Sequence, residues 1–466
     1  MVTVSLVSAP RPVTWPRGGE AARPPVRPDG RPSPSQTRRP ARPGARRLGA
    51  TDGVPAGTPD RGGVSMSSSA QDPTAFPFPP GPLGEPPTEL SGLRSACPVS
   101  RVTLPSGDEA WVVSGYDEVV TALTDRRLSR AALRAPGAPR MVKGPDFGDN
   151  PYSIFNLDGA DHARLRRLIA GAFAPRRAEE LRARVQEITD ELIDRVAALP
   201  QPVDIYHEFC TVLPIWVVCE IVGAPLADRD RIKTWTETLM SVGANEQRLA
   251  TREAMTAYVR ELVAARRAEP RDDLLSALVQ ARDADDRLSE AELTWLGAEL
   301  LLAGHDTTVN TIGRGIFQLL RHRDQWELLT ARPDELTEPA VEEVFRYAPP
   351  SDVGLLRVAL EDVELAGTSI GKGEGVIPLM HASSRDERQF AQPERFDITR
   401  ADNRHLVFGY GPHHCPGAGV ARMELQVAFG TLARRLPGLR LAVDPEEVKW
   451  IGGHITLRTE GLPVTF

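Results

Sequence analysis

The ten residues from 408 to 417 read Phe-Gly-Tyr-Gly-Pro-His-His-Cys-Pro-Gly, and they decide the fold because they place Cys415 on a glycine-rich turn. A helical pattern follows directly, from Ala418 to about Leu436. Glycine permits backbone conformations that other residues avoid, so such a turn can aim several N–H groups at one sulfur atom. These N–H groups and the positive end of the helix both lower the pKa of a thiol. The sequence therefore predicts that Cys415 is a thiolate that binds a metal ion.

This run resembles the haem-ligand signature of the cytochrome P-450 superfamily, Phe-Gly-x-Gly-x-His-x-Cys-x-Gly, and all of its specified positions are filled here. An isolated cysteine near a turn is more often a buried structural residue, but a match of this length favours the haem ligand. The resemblance implies haem b with Cys415 as its axial thiolate and as the only protein bond to iron. It places four further residues of the run beside the cofactor: Phe408, Gly409, His413 and Gly417. Because Pro416 has no N–H, hydrogen bonds to the sulfur must come from Gly417 and Ala418.

A second motif, Ala-Gly-His-Asp-Thr-Thr at residues 303–308, lies inside a long helical pattern. A threonine within a helix usually bonds back to the carbonyl four residues earlier, here from Thr307 to Ala303, and bends the helix. In the family that the chain resembles, this bend and the small pair Ala303 and Gly304 open a groove for dioxygen over the haem. The resemblance also implies that Asp306 and Thr307 relay protons to bound oxygen, so these two are the predicted catalytic residues.

Glu343 and Arg346 form a Glu-x-x-Arg pair on a predicted helix from about residue 338 to 347. Taken alone, such an i,i+3 pair is ordinarily a solvated ion pair worth about 0.2–0.5 kcal/mol. Residues 393–396, Pro-Glu-Arg-Phe, lie where the family has a second arginine. The resemblance therefore implies a structural cluster of Glu343, Arg346 and Arg395 that supports the haem side of the fold.

Basic residues that resemble the family's haem-propionate ligands form a third set. His162 and Arg166 are spaced i,i+4 in a helical pattern, so their side chains share one face and can reach two carboxylates. Arg357, in a strand-like segment, and His413 complete the predicted set. The helix of His162 carries two more arginines, Arg164 and Arg167. We interpret these as surface charges or as part of a face that docks an electron donor.

Composition is consistent with a large globular protein in a reducing compartment. The chain has 466 residues, 41% hydrophobic content and four cysteines, which is too few for a disulfide framework. Cys210 and Cys219 lie in an apolar helical stretch and are predicted to be core residues. The sequence has neither an apolar run of the ~20 residues that span a bilayer nor a convincing secretory pattern. We therefore expect a soluble, cytoplasmic protein without a membrane span.

The first 65 residues differ from the rest, with 12 prolines, 11 arginines and only 4 acidic residues. Such a tract buries too little apolar surface to fold, so residues 1–75 are predicted to be a disordered Pro/Arg-rich extension, with Met66 as a possible true start. Without the tract, the totals of 56 basic and 63 acidic residues fall to a net charge of −14. A body with this charge is not expected to bind nucleic acid.

Residues 76–466 are predicted to form one haem domain with a mainly helical α+β fold. The resemblance implies a long central helix over the haem, here from about Ser289 to Leu320, and a smaller β-rich region around residues 357–380. We also expect a final hairpin near residues 455–458. The sequence contains no flavin or nicotinamide motif, so electrons should come from separate proteins, a ferredoxin and a ferredoxin reductase.

The resemblance implies a haem-thiolate monooxygenase that uses O2 to hydroxylate or epoxidise a small molecule. A peroxide-driven peroxygenase and a non-enzymatic haem-thiolate sensor or carrier are the alternatives. Retention of Asp306 and Thr307 favours the monooxygenase, because peroxygenases of the family usually lose this pair. The distal pocket is expected beneath residues 131–155, 243–248, Leu300 with Ala303, and 352–356. These segments suggest an apolar substrate, such as a polyketide, terpenoid or steroid of secondary metabolism.

Overall fold

The computed structural model describes residues 74–466 except 144–146, 242–244, 285–286, 352 and 453. The described residues belong to one compact unit. Residues 1–73 of the predicted extension lie outside the described chain. Its last two residues, Thr74 and Ala75, form a short strand that pairs in parallel with Val102 and Thr103. Thr74 and Ala75, which the sequence analysis assigned to the extension, are therefore part of a sheet.

Helices make up most of the described chain. In order they are α1 (Glu89–Ala96), α2 (Tyr116–Thr124), α3 (Gly159–Ile169), α4 (Pro175–Ala197), α5 (Leu213–Val222), α6 (Arg229–Met240), α7 (Asn245–Ala268), α8 (Leu274–Asp283), α9 (Glu290–Arg321), α10 (Arg323–Ala331), α11 (Pro333–Tyr347), α12 (Met380–Ser383) and α13 (Ala418–Arg435). Short 3-10 turns occur at Pro82–Gly84, Ala131–Arg134, Phe147–Asp149, Ile154–Asn156, Leu226–Asp228, Gly411–His413 and Pro445–Glu447, and a π-helical turn at Tyr206–Cys210.

The strands are short. They are β1 (Thr74–Ala75), β2 (Val99–Thr103), β3 (Glu109–Val113), β4 (Leu128–Ser129), β5 (Val203–Asp204), β6 (Arg357–Ala359), β7 (Val363–Leu365), β8 (Thr368–Ile370), β9 (Gly375–Pro378), β10 (Arg440–Leu441), β11 (Trp450–Ile451), β12 (Arg458–Thr459) and β13 (Pro463–Thr465). The largest sheet has six strands in the order β1-β2-β3-β9-β6-β4, and it joins the start of the chain to the β-rich region before Cys415. The mainly helical α+β prediction is confirmed.

The central helix α9 begins at a capping box. Ser289 accepts the N–H of Glu292 at 3.2 Å, and the Glu292 carboxylate accepts the N–H of Ser289 at 2.6 Å. These two bonds satisfy N–H groups that the first turn of a helix leaves unpaired. Arg164 on α3 also pairs with Glu292, so this arginine ties α3 to the start of α9. A part in docking an electron donor stays a prediction for Arg164, whose side chain is 33% exposed in this pair.

Most of α9 is buried, and its glycines let neighbouring helices approach closely. A Cβ atom on Gly304 would lie 2.9 Å from a methyl group of Val218 on α5. A Cβ atom on Gly315 would lie 2.5 Å from the Phe429 ring on α13. Because both distances are shorter than normal contacts, glycine at these positions sets how tightly α5 and α13 pack on α9.

The main apolar core surrounds α9 and includes side chains of α4, α5, α11 and α13. A second core lies against the six-stranded sheet, with Val112 and Ile377 fully buried. The predicted long helix at 289–320 agrees with α9 to within one residue. The predicted final hairpin at 455–458 is only partly correct, because β11 pairs with β12 and the chain then ends in β13. Within the described residues, no helix combines the length and the apolar surface that a membrane span requires.

Candidate active site

The turn before Cys415 has the predicted glycine conformations. Gly409 and Gly411 adopt φ angles of 74° and 73°, which residues with a Cβ rarely take. The Cys415 N–H donates to the Phe408 carbonyl at 2.8 Å, and α13 begins three residues after the cysteine. At Gly417, a Cβ would lie 3.8 Å from the Cys415 Sγ. The turn therefore presents the sulfur at the start of a helix, as predicted.

Burial raises the pKa of the Cys415 thiol above its ordinary value. Hydrogen bonds from the N–H groups of Gly417 and Ala418 oppose this rise, as do the positive charges of Arg166 and Arg422. The two N–H donors are those that the sequence predicts. The N–H donors and the two arginines thus favour the thiolate that the sequence predicts, and a coordinated metal ion would favour it further.

Basic side chains meet on one side of this turn. The His162 ring, on α3, lies 4.1 Å from the His413 ring between centroids. Arg357 on β6 is only 4% exposed. Its Nη1 donates to the Leu128 carbonyl at 3.2 Å, while its Nε has no hydrogen-bond partner among the described residues. Arg166 is placed so that its charge acts on Cys415. The structure thus brings together the four cations predicted for the propionates.

Electrostatics in this cluster favour an anionic ligand. Burial, together with the charges of His413 and Arg166, lowers the pKa of His162 to about 4. Asp158, which the sequence analysis missed, lies 3.4 Å from the His413 Nε2. Burial acts to raise the Asp158 pKa, but hydrogen bonds from His413, Ser129 and the N–H of Ala131 hold it below its ordinary value. Asp158 is the local counter-charge, and an anion beside these side chains would stabilise their charged forms.

Arg130 is a second residue that sequence reasoning missed. It is 5% exposed, and its guanidinium donates to the Phe155 carbonyl and to the Asn156 side chain, both at 2.9 Å. It also donates to the carbonyl of Leu356. Arg130 therefore ties the chain before α3 to the chain before β6. No motif surrounds it in the sequence, so only its contacts reveal this role.

On α9 the predicted threonine bond is present: the Thr307 hydroxyl donates to the Ala303 carbonyl at 2.7 Å. Thr308 makes the equivalent bond to Gly304 at 3.2 Å. The two hydroxyls thus bond to successive backbone carbonyls of this turn. Threonine bonds of this kind are expected where a helix is bent. Val218 packs close to Gly304 on the α5 side, which leaves Ala303 as the small residue beside Thr307.

Asp306 is buried and lies in a polar cluster that the sequence did not indicate. Its carboxylate accepts hydrogen bonds from the Thr456 hydroxyl and, at 3.2 Å, from the Asn310 amide. The Tyr206 hydroxyl donates to Asn310 at 2.9 Å. Burial raises the pKa of Asp306, although Thr456, the charge of Arg458 and Asn310 oppose that rise. In the described residues, no hydrogen bond joins Asp306 to Thr307.

The Glu343–Arg346 pair is fully buried, with 0% exposure of both side chains and 2.8 Å between them. Arg346 also donates to the carbonyls of Ser384 at 3.0 Å and Pro393 at 2.7 Å. The prediction that the Arg395 side chain completes this cluster is wrong. Arg395 contributes its backbone carbonyl to Arg346 at 3.0 Å, while its side chain is 62% exposed.

Arg400 takes the place predicted for Arg395. Its Nε lies 3.2 Å from the Glu343 carboxylate, and its side chain is 11% exposed. The Asn403 amide donates to the same carboxylate at 3.0 Å. A buried carboxylate with these partners holds the segment before the cysteine turn against α11.

An ion pair near Cys415 was also not predicted. Arg422 on α13 donates to both oxygens of Glu342, at 2.7 and 3.0 Å. Its guanidinium carbon lies 4.6 Å from the centroid of the Phe408 ring. Glu342 also contacts the His405 Nε2 at 3.1 Å. This stack fixes the aromatic residue that opens the cysteine turn and adds a positive charge near the sulfur.

The expected distal segments are only partly described, because Gly243 and Asp352 lie outside the described residues. Leu300 and Leu356 are buried, whereas Leu355 is 47% exposed. A separate groove of about 320 Å³ is lined by residues of α4, α5 and α6 together with the π-helical turn before α5. It includes none of the predicted site residues.

Comparison with known proteins identifies the family of this chain. Residues 229–448 match the family described as Cytochrome P450. The chain is 43% identical to mycinamicin IV hydroxylase/epoxidase of Micromonospora griseorubida, over 80% of this chain and 94% of that protein. It is 40% identical to nocardicin C N-oxygenase of Nocardia uniformis subsp. tsuyamanensis, over 85% and 97% of the two chains. The crystal structure of the cytochrome P450 hydroxylase of the leinamycin pathway of Streptomyces atroolivaceus aligns with TM-score 0.77 and 42% identity, over 84% and 100%.

The fold and the cysteine site therefore define a haem-thiolate class of enzyme. The chain belongs to the cytochrome P450 family and is a monooxygenase. The predictions of family, fold class and enzyme class are confirmed. Enzymes of this class use O2 and receive electrons from redox partners.

Proposed function

We propose that this chain binds haem b through Cys415 and inserts one oxygen atom from O2 into a mostly apolar small molecule of secondary metabolism, by hydroxylation or epoxidation. The single observation that carries the proposal is the meeting of a partly exposed cysteine with two histidines and two arginines at one turn. Relatives whose names state a hydroxylase, an epoxidase or an N-oxygenase of natural products support the reaction class.

The residues present fit a haem. Gly417 leaves space beside the sulfur for a flat group, since even a Cβ there would lie 3.8 Å from the Cys415 Sγ. The unpartnered Nε of buried Arg357 and the imidazoles of His162 and His413 are suited to carboxylates such as the propionates. Phe408, held by Arg422, would pack beside the cysteine. When bound, haem iron with a thiolate ligand binds dioxygen and favours cleavage of its O–O bond.

The chain's own contribution to the chemistry is proton supply from α9. Asp306 is buried and has a raised pKa, so it retains a proton more readily than an exposed carboxyl does. Thr307 lies next in sequence, with its hydroxyl on the Ala303 carbonyl. We assign Asp306 as the proton donor and Thr307 as the hydroxyl that passes the proton into the groove beside Ala303.

The electron donors are proposed to be a ferredoxin and its reductase, because the sequence carries no flavin or nicotinamide motif. Arg164 and Arg167 on α3 are both proposed for the docking face, although Arg164 also pairs with Glu292. We further propose a cytoplasmic location and one haem domain with an N-terminal extension. A peroxide-driven enzyme remains the competing outcome of the test.

The test starts with the CO complex of the reduced protein, which should show the red-shifted Soret band of thiolate ligation. Cys415→Ala should lose that band, whereas Cys97→Ala, at an exposed cysteine, should keep it. A retained band in Cys415→Ala would refute the ligand assignment. Any compound that shifts the spin state is then incubated either with ferredoxin, reductase, NADPH and O2 or with hydrogen peroxide alone. Product formed efficiently only with peroxide would replace the monooxygenase assignment.

A further inference from the structure

Glu299 is a buried carboxyl group on α9 that the proposed mechanism does not use. Glu299 is only 2% exposed. One oxygen, Oε2, accepts the N–H of Ile154 at 3.1 Å, and the Ser153 hydroxyl also bonds to the carboxyl. The other oxygen, Oε1, is buried and has no hydrogen-bond partner among the described residues. An unpaired buried oxygen of this kind costs about 1–3 kcal/mol, so its presence calls for an explanation.

Burial raises the pKa of Glu299 to about 8, while the bonds from Ser153 and Ile154 act in the opposite direction. The carboxyl is therefore mostly protonated at pH 7. Since Oε2 accepts the Ile154 N–H, the proton is most favourably placed on Oε1. The free oxygen is then an O–H donor with no acceptor in the described protein.

The position of Glu299 places this donor where three elements meet. It lies four residues before Ala303, so both side chains project from nearly the same face of α9, about 6 Å apart along the axis. Ile154 belongs to the segment before α3, which is one of the predicted walls of the distal pocket. On its other side Glu299 borders a cavity of about 20 Å³ between α9, α6 and α7.

That cavity is mainly apolar, and among the described residues no cation pairs with the carboxyl. Its apolar lining comes from Leu239, Met255, Trp295, Ala298 and Leu302. Arg252 also borders it, but its guanidinium lies over the Trp295 ring, 5.9 Å from the centroid, and makes no ion pair with Glu299 in the described chain. Glu299 is thus a buried carboxyl in a mainly apolar wall, whose other polar residues are Arg252 and Thr256.

We propose that the Oε1 hydroxyl of Glu299 donates a hydrogen bond to a neutral oxygen of the substrate, a ketone, ester or hydroxyl group, and so determines which carbon lies over the iron. This inference rests on the proposed function, and it adds a polar anchor to a pocket that the sequence described as apolar. In such a pocket, a substrate without the matching oxygen leaves the donor unpaired and binds less tightly.

A purely structural role, in which Glu299 only ties the Ser153–Ile154 segment to α9, makes a different prediction. That role uses Oε2 alone. Removing the Ser153 hydroxyl, which is the other partner of the bond, should then have the same effect as replacing Glu299. Ser153→Ala is the matched control, because it removes a bond to the carboxyl and leaves the Oε1 hydroxyl in place.

The experiment uses iron-binding probes on the holoprotein. The probes are 4-phenylimidazoles that carry an acetyl group at the ortho, meta or para position, each compared with its isopropenyl analogue of nearly equal shape. The imidazole fixes each probe on the iron, and Kd is read from the Soret shift. In the parent protein at least one acetyl isomer should bind about five- to tenfold more tightly than its isopropenyl partner.

Glu299→Leu should abolish that preference. Glu299→Gln should keep most of it, because its amide still donates an N–H, and Ser153→Ala should keep it fully. Where Glu299→Leu yields little holoprotein, Glu299→Met serves as the apolar variant. The proposal is overturned if no acetyl isomer is preferred, if the preference survives in the apolar variant, or if Ser153→Ala removes it equally.

Aminomethyl analogues of the same probes complete the test. If these bind more tightly than the acetyl forms, Glu299 is an anionic site for an ammonium group, and the neutral-oxygen assignment is wrong. If no imidazole shifts the Soret band of the parent protein, the haem assignment fails and this inference fails with it. These two failures are therefore distinguishable.

Discussion

The Thr456 hydroxyl donates a hydrogen bond to the Asp306 carboxylate, which joins the C-terminal segment to the central helix across 150 positions of sequence. Asn310 bonds to both partners, at 3.2 Å to Asp306 and 3.0 Å to Thr456. Nearby, Arg458 lies 3.6 Å from Glu237 on α6. The predicted proton donor is thus held by a polar cluster that leads towards a partly exposed ion pair, and not by Thr307.

Thr456→Val should therefore weaken proton supply while leaving the fold intact. Without the Thr456 hydroxyl, the ionised form of Asp306 loses a donor and its pKa rises further, and stability should fall by about 1 kcal/mol. More electrons should then be lost to hydrogen peroxide, and the pH optimum of coupled turnover should move upward. Thr189→Val on α4, equally buried and bonded only to its own helix, controls for loss of a buried hydroxyl. An unchanged pH profile in Thr456→Val would exclude this role.

Thr307→Ala should leave haem content and ligand affinity close to those of the parent. The lost hydroxyl bonds only to the Ala303 carbonyl, so little packing depends on it. Its predicted role is proton transfer, so product per electron should fall several-fold while peroxide rises. The measurement compares NADPH consumed, product formed and peroxide formed. Equal coupling in the two proteins would remove Thr307 from the proposed mechanism.

The arginines that follow α12 offer a matched pair of substitutions. Arg400→Ala removes a side chain that is 11% exposed and bonded to Glu343, which is fully buried. It should lower the free energy of unfolding by about 1.5–3 kcal/mol. Arg395→Ala removes a side chain that is 62% exposed and should stay within about 0.5 kcal/mol of the parent. Urea unfolding of both holoproteins measures the difference, and the reverse order would restore Arg395 to the cluster.

This pair illustrates what the sequence could and could not predict. The glycine turn at Cys415 and the Thr307–Ala303 bond depend on residues at most a few positions apart, so local rules predicted both. The partner of Glu343 depends on how the loop folds back: Arg346 binds the Arg395 carbonyl, which fixes that backbone and leaves its side chain in solvent. Arg400 becomes the partner only through this tertiary arrangement.

Buried polar groups were the other limit of sequence reasoning. Glu299 and Asp158 lie in no motif, and an acidic residue in a helix or at its start is usually solvated. Their functions become visible only from burial and partners, which long-range packing determines. The signature motifs therefore predicted the reaction class, whereas the groups that hold and tune the site required the structure.

The N-terminal boundary can be tested by starting the protein at Met66. The tract before it has a composition that is predicted not to fold, so its removal should leave haem incorporation and Tm unchanged within about 1 °C. A start at Arg101, within β2, is the contrasting variant, because it deletes β1 and the first two residues of the strand that pairs with it and should prevent folding. A large loss in the Met66 variant would place the upstream residues within the folded domain.

Glu342 should make stability depend on pH. Burial acts to raise its pKa, but the bonds from His405 and Arg422 lower it to about 2, from an ordinary value of 4.5. A carboxyl with a depressed pKa stabilises the fold fully above its unfolded pKa, and this stabilisation is lost as pH falls through the folded pKa.

Glu342→Gln should therefore be less stable than the parent by about 2 kcal/mol at pH 7, after allowance for the partial exposure of the pair. The gap should narrow below pH ~4.5 and be less than half as large at pH ~3. Unfolding by urea from pH 7 to pH 3 tests this, with Glu335→Gln on the same helix, 64% exposed, as the control that should show no such trend. A difference in stability that stays the same from pH 7 to pH 3 would show that the charge of Glu342 contributes nothing. Arg422 would then stabilise Phe408 by packing alone.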